Sequence, residues 1–207
     1  GGGSLYDVVQ MAGLFIEEGP IVQVKDRDGR PSVLRDRDKS LLYDGPLAVM
    51  VNEFSASASE IFAAAIQDYK RGIVLGSTTT YGKGTVQRNI GLDKETGMFT
   101  SNSELGTIKL TLQKFYRING GSTQHKGVVP DIIFPSPIDP AEWGESKEKN
   151  ALPWDSIPAA AYTSSPDLKV TLPQLNEKHQ KRIAAEPEFN FLLQDIAEYK
   201  KEKDVKT

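Results

Sequence analysis

Two stretches carry residues that could do chemistry. One runs Asn52-Glu53-Phe54-Ser55-Ala56-Ser57-Ala58-Ser59-Glu60-Ile61-Phe62-Ala63-Ala64-Ala65, the other Tyr81-Gly82-Lys83-Gly84-Thr85-Val86-Gln87. An apolar run, Leu47-Ala48-Val49-Met50-Val51, ends at Asn52, and an alanine-rich segment of helical spacing follows the serines. A strand that turns sharply into a helix N-terminus can expose a serine hydroxyl beside backbone N–H groups that lack an intrahelical partner. Those N–H groups can hold a developing oxyanion. The chemistry this suggests is acyl transfer by a serine of the turn, with Lys83 as its base.

The usual base for a serine is histidine, and the chain has two, His125 and His179. His179 sits in Asn176-Glu177-Lys178-His179-Gln180-Lys181, which reads as a solvated helix face. His125 lies in a loop with no acid-bearing motif around it, so a structural role is the simpler reading. Lys83 is flanked by Gly82 and Gly84, and glycine leaves the backbone free to turn a side chain inward. A lysine becomes a base only when its pKa falls from about 10.4 toward neutrality, which burial beside apolar walls can achieve. From spacing alone, a solvated cation is the favoured reading.

The stretch from Gly76 to Thr85 has the look of a phosphate loop but departs from it. Its spacing is G-x5-G-K, whereas that motif needs four residues between the glycines and a hydroxyl directly after the lysine. Gly84 occupies the hydroxyl position, and Thr85-Val86-Gln87-Arg88 reads as a strand rather than a helix offering its N-terminus. Nucleotide binding is therefore disfavoured.

The surrounding elements can be read from periodicity. Ser4 fits a helix N-cap with Asp7 three residues on, and the apolar positions from Leu5 to Ile16 predict a helix buried on most sides that stops at Gly19-Pro20. Residues 21–25 and 32–35 predict a hairpin around Asp28-Gly29. The apolar run at 46–51 predicts a central strand buried on both faces. A helix at about 59–69 follows, with Ile61, Phe62, Ala65, Ile66 and Tyr69 on one stripe, closed by Lys70-Arg71-Gly72. With the strand Ile73-Val74-Leu75 this makes a right-handed parallel βαβ unit. Further strands are expected at 85–90 and, half-buried, at 107–116, with a polar, turn-rich stretch at 91–106, a turn at Asn119-Gly120-Gly121 and an edge segment from Val128 to Phe134. Past Pro135 the composition shifts to prolines, acids and Trp143 and Trp154, then to two helices near 172–185 and 188–203 and a charged tail, Lys200 to Thr207, expected to fray.

Composition narrows the class. The 207 residues suffice for one good core, or one domain with an appendage. A hydrophobic fraction of 38% and a net charge of -3 fit an ordinary globular chain with no nucleic-acid footprint. No apolar run approaches the ~20 residues of a membrane-spanning helix. With Cys 0 there is no thiolate metal site, and the redox compartment is left open. No cofactor or metal site is expected.

The motifs resemble one family closely. Phe54-Ser55-Ala56-Ser57-Ala58-Ser59-Glu60-Ile61, Gln67-Asp68-Tyr69 and Tyr81-Gly82-Lys83-Gly84-Thr85-Val86-Gln87 are similar to the C-terminal processing (tail-specific) proteases, peptidase family S41. Gly1-Gly2-Gly3-Ser4-Leu5 resembles the end of that family's L-R-x-N-x-G-G-G segment, although an added glycine spacer would read the same way. Gly127-Val128-Val129-Pro130-Asp131-Ile132 also matches, and Asn150-Ala151-Leu152-Pro153-Trp154-Asp155 resembles the helical extension of the Prc-type branch.

The resemblance implies an α/β fold: a ClpP/crotonase-like βαβ protease core at 1–135, incomplete at its N-terminus, with a linker and α-helical C-terminal extension at 136–207. It implies a serine endopeptidase acting on polypeptides with accessible apolar tails through a Ser–Lys dyad and an acyl-enzyme. Ser57, the middle serine, would be the nucleophile, Lys83 the general base, and Gln87 the support for the lysine. The backbone N–H groups of Ala58 and of Gly2 or Gly3 would form the oxyanion hole. Ser55 and Ser59 are left as turn and N-cap residues, with Glu60 in the first turn.

Asp68 matches a position sometimes grouped with the dyad, but it lies nine helical residues from Ser59, about 13 Å along the axis. It is better read as a partner for Lys70, Arg71 or nearby backbone. The loop Ser77-Thr78-Thr79-Thr80 is one residue longer than usual in the family and sets Ser57 and Lys83 26 residues apart. The resemblance also implies an absent preceding part, with a PDZ domain and the early strands of the core. Alone, the chain is expected to expose strand edges unless it forms a homo-oligomer, swaps elements or binds that part. Family relatives suggest the periplasm or cell envelope. Two other readings stay open, a non-catalytic peptide-binding relative and an acyl-thioester enzyme on a crotonase-like core, though no coenzyme A site is identifiable.

Overall fold

The computed structural model describes residues 2–92, 105–139, 142–165 and 167–205. Most of the turn-rich stretch expected at 91–106 falls outside them.

A single helix lies between two sheets. Helix α2 (Ala58–Tyr69) packs one side against helix α1 (Leu5–Gly13) and strand β1 (Pro20–Asp26). There Ile61, Ala65, Ile66 and Tyr69 join Val8, Val9, Ala12, Ile21, Val22, Val24, Phe115 and Ile118 in the main core. Its other side, Ala63 and Ala64, meets Val51, Val74 and Val128 in a second cluster. The small alanines let backbone approach from that side while larger side chains fill the first. The predicted stripe is thus buried, and the helix between its ends is enclosed.

The second cluster belongs to a three-stranded parallel sheet of β3 (Ala48–Val51), β4 (Ile73–Gly76) and β7 (Ile132–Ile133), in the order β3-β4-β7. β3 and β4 pair in parallel through Ala48↔Ile73 to Val51↔Gly76, so β3-α2-β4 is the expected crossover unit. Gly76 stands at φ 154, and a Cβ there would fall 1.8 Å from the Val51 carbonyl oxygen. Only glycine permits that approach. The first cluster is floored by an antiparallel sheet in the order β2-β1-β6-β5, where β2 is Ser32–Arg35, β5 Thr85–Gly91 and β6 Thr107–Tyr116. The β1–β2 hairpin forms as read, and β6 joins it to β5.

Three expectations about the first helix and the sheets change. α1 ends at Gly13 rather than near Gly19, with Tyr6 and Met11 well exposed, because only Val8, Val9, Ala12 and Gly13 of the helix are buried. β3 is not central. Among the described residues it pairs only with β4, and Met50 is 81% exposed. β6 is half-buried only at its end: Phe115 and Tyr116 are buried, but Ile108, Leu110 and Leu112 are exposed, because β1 pairs with positions 113–116 and leaves the rest to β5 alone.

Ser4 caps α1 as expected, its Oγ accepting the Asp7 N–H at 3.2 Å. The C-terminal helices, α3 (Asp167–Ala185) and α4 (Pro187–Val205), are longer than predicted. α4 carries the charged tail to Val205. His179 is not on a solvated face. It is 3% exposed, its Nε2 lies 3.2 Å from the Ile133 carbonyl, and its ring sits 4.7 Å from that of Phe134, so it docks α3 on the edge of the parallel sheet. Among the described residues no helix is long and apolar enough to cross a membrane, and no cluster of metal-ligating side chains is present.

Candidate active site

The serine turn is built at the carboxyl end of β3, where the chain must reverse into α2. Asn52 organises it: its Oδ1 accepts the Phe54 N–H at 3.1 Å, its own N–H donates to Ser55 Oγ at 3.1 Å, and its carbonyl accepts the Ser55 N–H at 2.9 Å. Ser55 is thus a turn residue, as read. The residue flanking the helix is Ser57 rather than Ser59, which lies inside the first turn. Ser57 has φ 55 and ψ -114, outside the wells open to an L-residue. Holding a non-glycine residue there costs on the order of 1–3 kcal/mol and requires surroundings that over-determine it.

Those surroundings centre on Glu60. From sequence Glu60 is a first-turn residue, and its contacts beyond the helix come only from the fold. Its side chain is fully buried. Oε2 accepts the N–H of Ser57 at 2.7 Å and of Lys83 at 2.9 Å, while Oε1 accepts the Gly82 N–H at 2.7 Å and the Thr80 hydroxyl at 2.5 Å. One carboxylate thereby ties the strained serine to the loop that carries the lysine. Burial pushes its pKa up to about 7, against the opposing pull of these four donors. A second tie runs from the Tyr81 N–H to the Ser55 carbonyl at 3.0 Å. A glutamate three residues after a helix-flanking serine is the capping-box pattern, which hints at the bond to Ser57. The contacts to Thr80, Gly82 and Lys83 have no local signal.

Ser57, Ala58, Gly2, Gly3, Lys83 and Gln87 line one cavity of about 380 Å³, with Ile61, Val86 and Phe115 as apolar wall. Gly2 lies against the nucleophile candidate: a Cβ on it would fall 3.5 Å from Ser57 Oγ. Gly3 sits over Ala58, and Gly1 lies outside the described residues. Lys83 Nζ donates to Gln87 Oε1 at 2.8 Å, and Gln87 Nε2 donates to Thr111 Oγ1 at 3.4 Å. Lys83 thus bonds to Gln87 rather than to Ser57 Oγ. The residues expected to form the dyad, its support and the oxyanion hole therefore gather in one place, with the lysine bonded to Gln87.

The remaining candidates lie elsewhere. His125 sits behind the lysine loop, its N–H donating to the Gly82 carbonyl at 2.7 Å, and its Nε2 is buried without a hydrogen-bond partner among the described residues. Asp68 is held by Arg117 and Asn119 rather than by Arg71. Arg117 grips it with Nε at 3.1 Å and Nη2 at 2.6 Å, and Asn119 Nδ2 adds a bond at 3.0 Å. Burial raises its pKa, opposed by Arg117. Arg71 instead donates to the carbonyls of Phe15, Gly45 and Tyr43.

Comparison with known sequences decides the family. The pattern of peptidase family S41 matches residues 1–134, and that of the C-terminal domain of tail specific protease matches 138–207. The chain belongs to peptidase family S41. It is 51% identical over 199 residues to a tail-specific protease of Haemophilus influenzae, covering 95% of this chain and 28% of that one. It is 35% identical over 138 residues to a carboxy-terminal-processing protease of Bartonella bacilliformis, covering 66% and 29%. Among solved structures, the photosystem II D1 C-terminal processing protease superposes with a TM-score of 0.51 at 29% identity, covering 68% of this chain and 32% of that chain. The S41 chain described here thus spans a little over a quarter of these curated relatives. Its mixed α/β sheets and C-terminal helices have the fold expected from the S41 motifs.

Proposed function

We propose that this chain is the catalytic part of a serine endopeptidase that degrades or processes proteins with accessible apolar C-terminal tails, residues 1–135 forming the protease core and 136–207 the linker and helical extension. The observation that supports this best is the shared cavity. A serine held at positive φ, a lysine bonded to a glutamine, and glycine backbone beside the serine hydroxyl all face one space.

Lys83, as general base, takes the Ser57 hydroxyl proton as Oγ attacks the scissile carbonyl. Electron density moves to the carbonyl oxygen, which the N–H groups of Ala58 and of Gly2 or Gly3 receive. The lysine ammonium then gives its proton to the departing amine, leaving an ester on Ser57. Water, deprotonated by the same lysine, attacks the ester and releases the acid. Gln87 sets where Nζ sits, and a rotation of the lysine side chain from Gln87 to Ser57 prepares the dyad. Such a protease works in the periplasm or cell envelope, in a protein whose remaining segments deliver the substrate tail.

Cleavage of an unfolded protein by the full-length parent and by its Ser57→Ala variant tests this. Loss of at least about 10³-fold in rate is expected. Unchanged cleavage would sink the dyad.

A further inference from the structure

The lysine borders a second cavity on the side away from the serine. Its volume is about 520 Å³, and it shares Ala56, Lys83, Thr85 and Gln87 with the first cavity but contains none of Ser57, Ala58, Gly2 or Gly3. Its far wall comes from the C-terminal unit and includes Glu145, Glu148 and Lys149.

This wall is fixed to the loop that carries the lysine. The Glu145 N–H donates to the Tyr81 carbonyl at 2.9 Å, and Gly144, at φ 112, packs so closely that a Cβ would fall 2.6 Å from the same oxygen. Gln124 bridges the two parts, its Oε1 accepting the Gly84 N–H at 2.7 Å and its Nε2 donating to Glu145 Oε1 at 3.2 Å. The Tyr81 hydroxyl donates to Glu148 Oε1 at 3.0 Å. Burial, and then that carboxylate, push the phenol up to about 12, so it stays a donor. Glu145 and Glu148 make no ion pair among the described residues, and each has one carboxylate oxygen left over after these bonds.

The Ser57–Lys83 chemistry gives the second cavity a direction, and its assignment to a substrate segment rests on that chemistry. The proton that Lys83 takes from Ser57 must go to the departing amine. The departing nitrogen must then lie on the lysine side, and the chain beyond it leads past Lys83, away from the oxyanion site. We infer that the second cavity receives the first side chain of the departing fragment, and that its Glu145–Glu148 wall favours a basic one. Lys149 on the same wall offsets one of the two carboxylates, and Lys83, which also lines the cavity, is counted as the proton-free base of the Ser57–Lys83 chemistry on which this assignment rests. The remaining field is negative, near the surface and open to salt, which makes the preference modest.

The test uses the full-length protein and peptides that differ only in the first residue of the departing fragment, Lys or Glu, in low and high salt. The expected rate ratio is about two- to fivefold in favour of Lys at low salt, shrinking at high salt and reversing in Glu148→Lys. In Glu148→Gln, which removes the charge with little change of shape, the ratio falls toward one. The ratio is read independently of overall rate, so a slower variant still reports. An equal ratio in the wild type and both variants overturns the subsite. Cleavage that persists in Ser57→Ala overturns the dyad instead, a separate outcome.

Discussion

One oxygen of Glu60 accepts the backbone N–H of Ser57 at 2.7 Å and that of Lys83 at 2.9 Å. The two residues are 26 positions apart, and their relative position depends on this carboxylate more directly than on any side chain of their own. A buried acceptor that serves donors from both halves of a site fixes a distance, because removing it leaves buried N–H groups unmatched.

Replacing Glu60 by Gln puts an NH2 group where two N–H donors already point. The expected loss of stability is about 1–3 kcal/mol, with a fall in kcat of about 10²-fold from misplacement of the proposed Ser57–Lys83 dyad and a smaller change in KM. Steady-state kinetics and urea unfolding on one preparation check this. A variant equally destabilised but fully active would show that Glu60 supports the fold without setting the dyad.

Glu60 also makes a stability prediction with a defined sign. Its folded pKa, about 7, lies above its ordinary value of 4.5. The folded chain thus holds a proton that the unfolded chain releases between these values, and stability falls as pH rises through that window. The stabilisation is fully present below about pH 4.5 and lost above about pH 7. The difference corresponds to about 3 kcal/mol. Asp68, whose pKa is also raised, contributes in the same direction, so the quantity to measure is the wild type minus Glu60→Gln, which isolates Glu60. A flat difference between pH 4.5 and 8 would contradict the assignment.

Asp68 holds α2 to the end of β6 through Arg117, with side chains only 6% and 18% exposed. Asp68→Ala leaves a mostly buried guanidinium with Gln67 as its nearest remaining acceptor. The expected cost is about 3–5 kcal/mol, with kcat per folded molecule preserved, since neither Asp68 nor Arg117 lines the cavity that holds Ser57 and Lys83. Replacing Arg117 by Met in the same chain should recover part of the loss. A collapse of kcat in a well-folded Asp68→Ala chain would return this aspartate to the chemistry.

How much of this was legible in the sequence depends on whether the signal is local. The βαβ unit, the hairpin and the Ser4 cap follow from periodicity and turn chemistry within a few residues. The serine turn and the lysine loop follow from motifs. What escaped were residues whose meaning is set far along the chain. Glu60 answers to Thr80, Gly82 and Lys83, and His179, among polar neighbours in sequence, answers to Ile133 and Phe134. The apolar run ending in β3 reads as buried on both faces, yet burial depends on neighbours, and among the described residues β3 has one partner. The same reason leaves Ile108, Leu110 and Leu112 of β6 exposed beyond the reach of β1. Periodicity tells which side chains share a face and is silent on what covers it.

The central claim is that Ser57 is a nucleophile activated by Lys83. The most direct measurement is intact-mass and peptide mapping of the full-length protein after treatment with a serine-directed fluorophosphonate. One adduct is expected, on the peptide containing Ser57, with labelling slowed at least about 10²-fold in Lys83→Ala. Labelling at another serine, or equal labelling of Ser57 without the lysine, would contradict it.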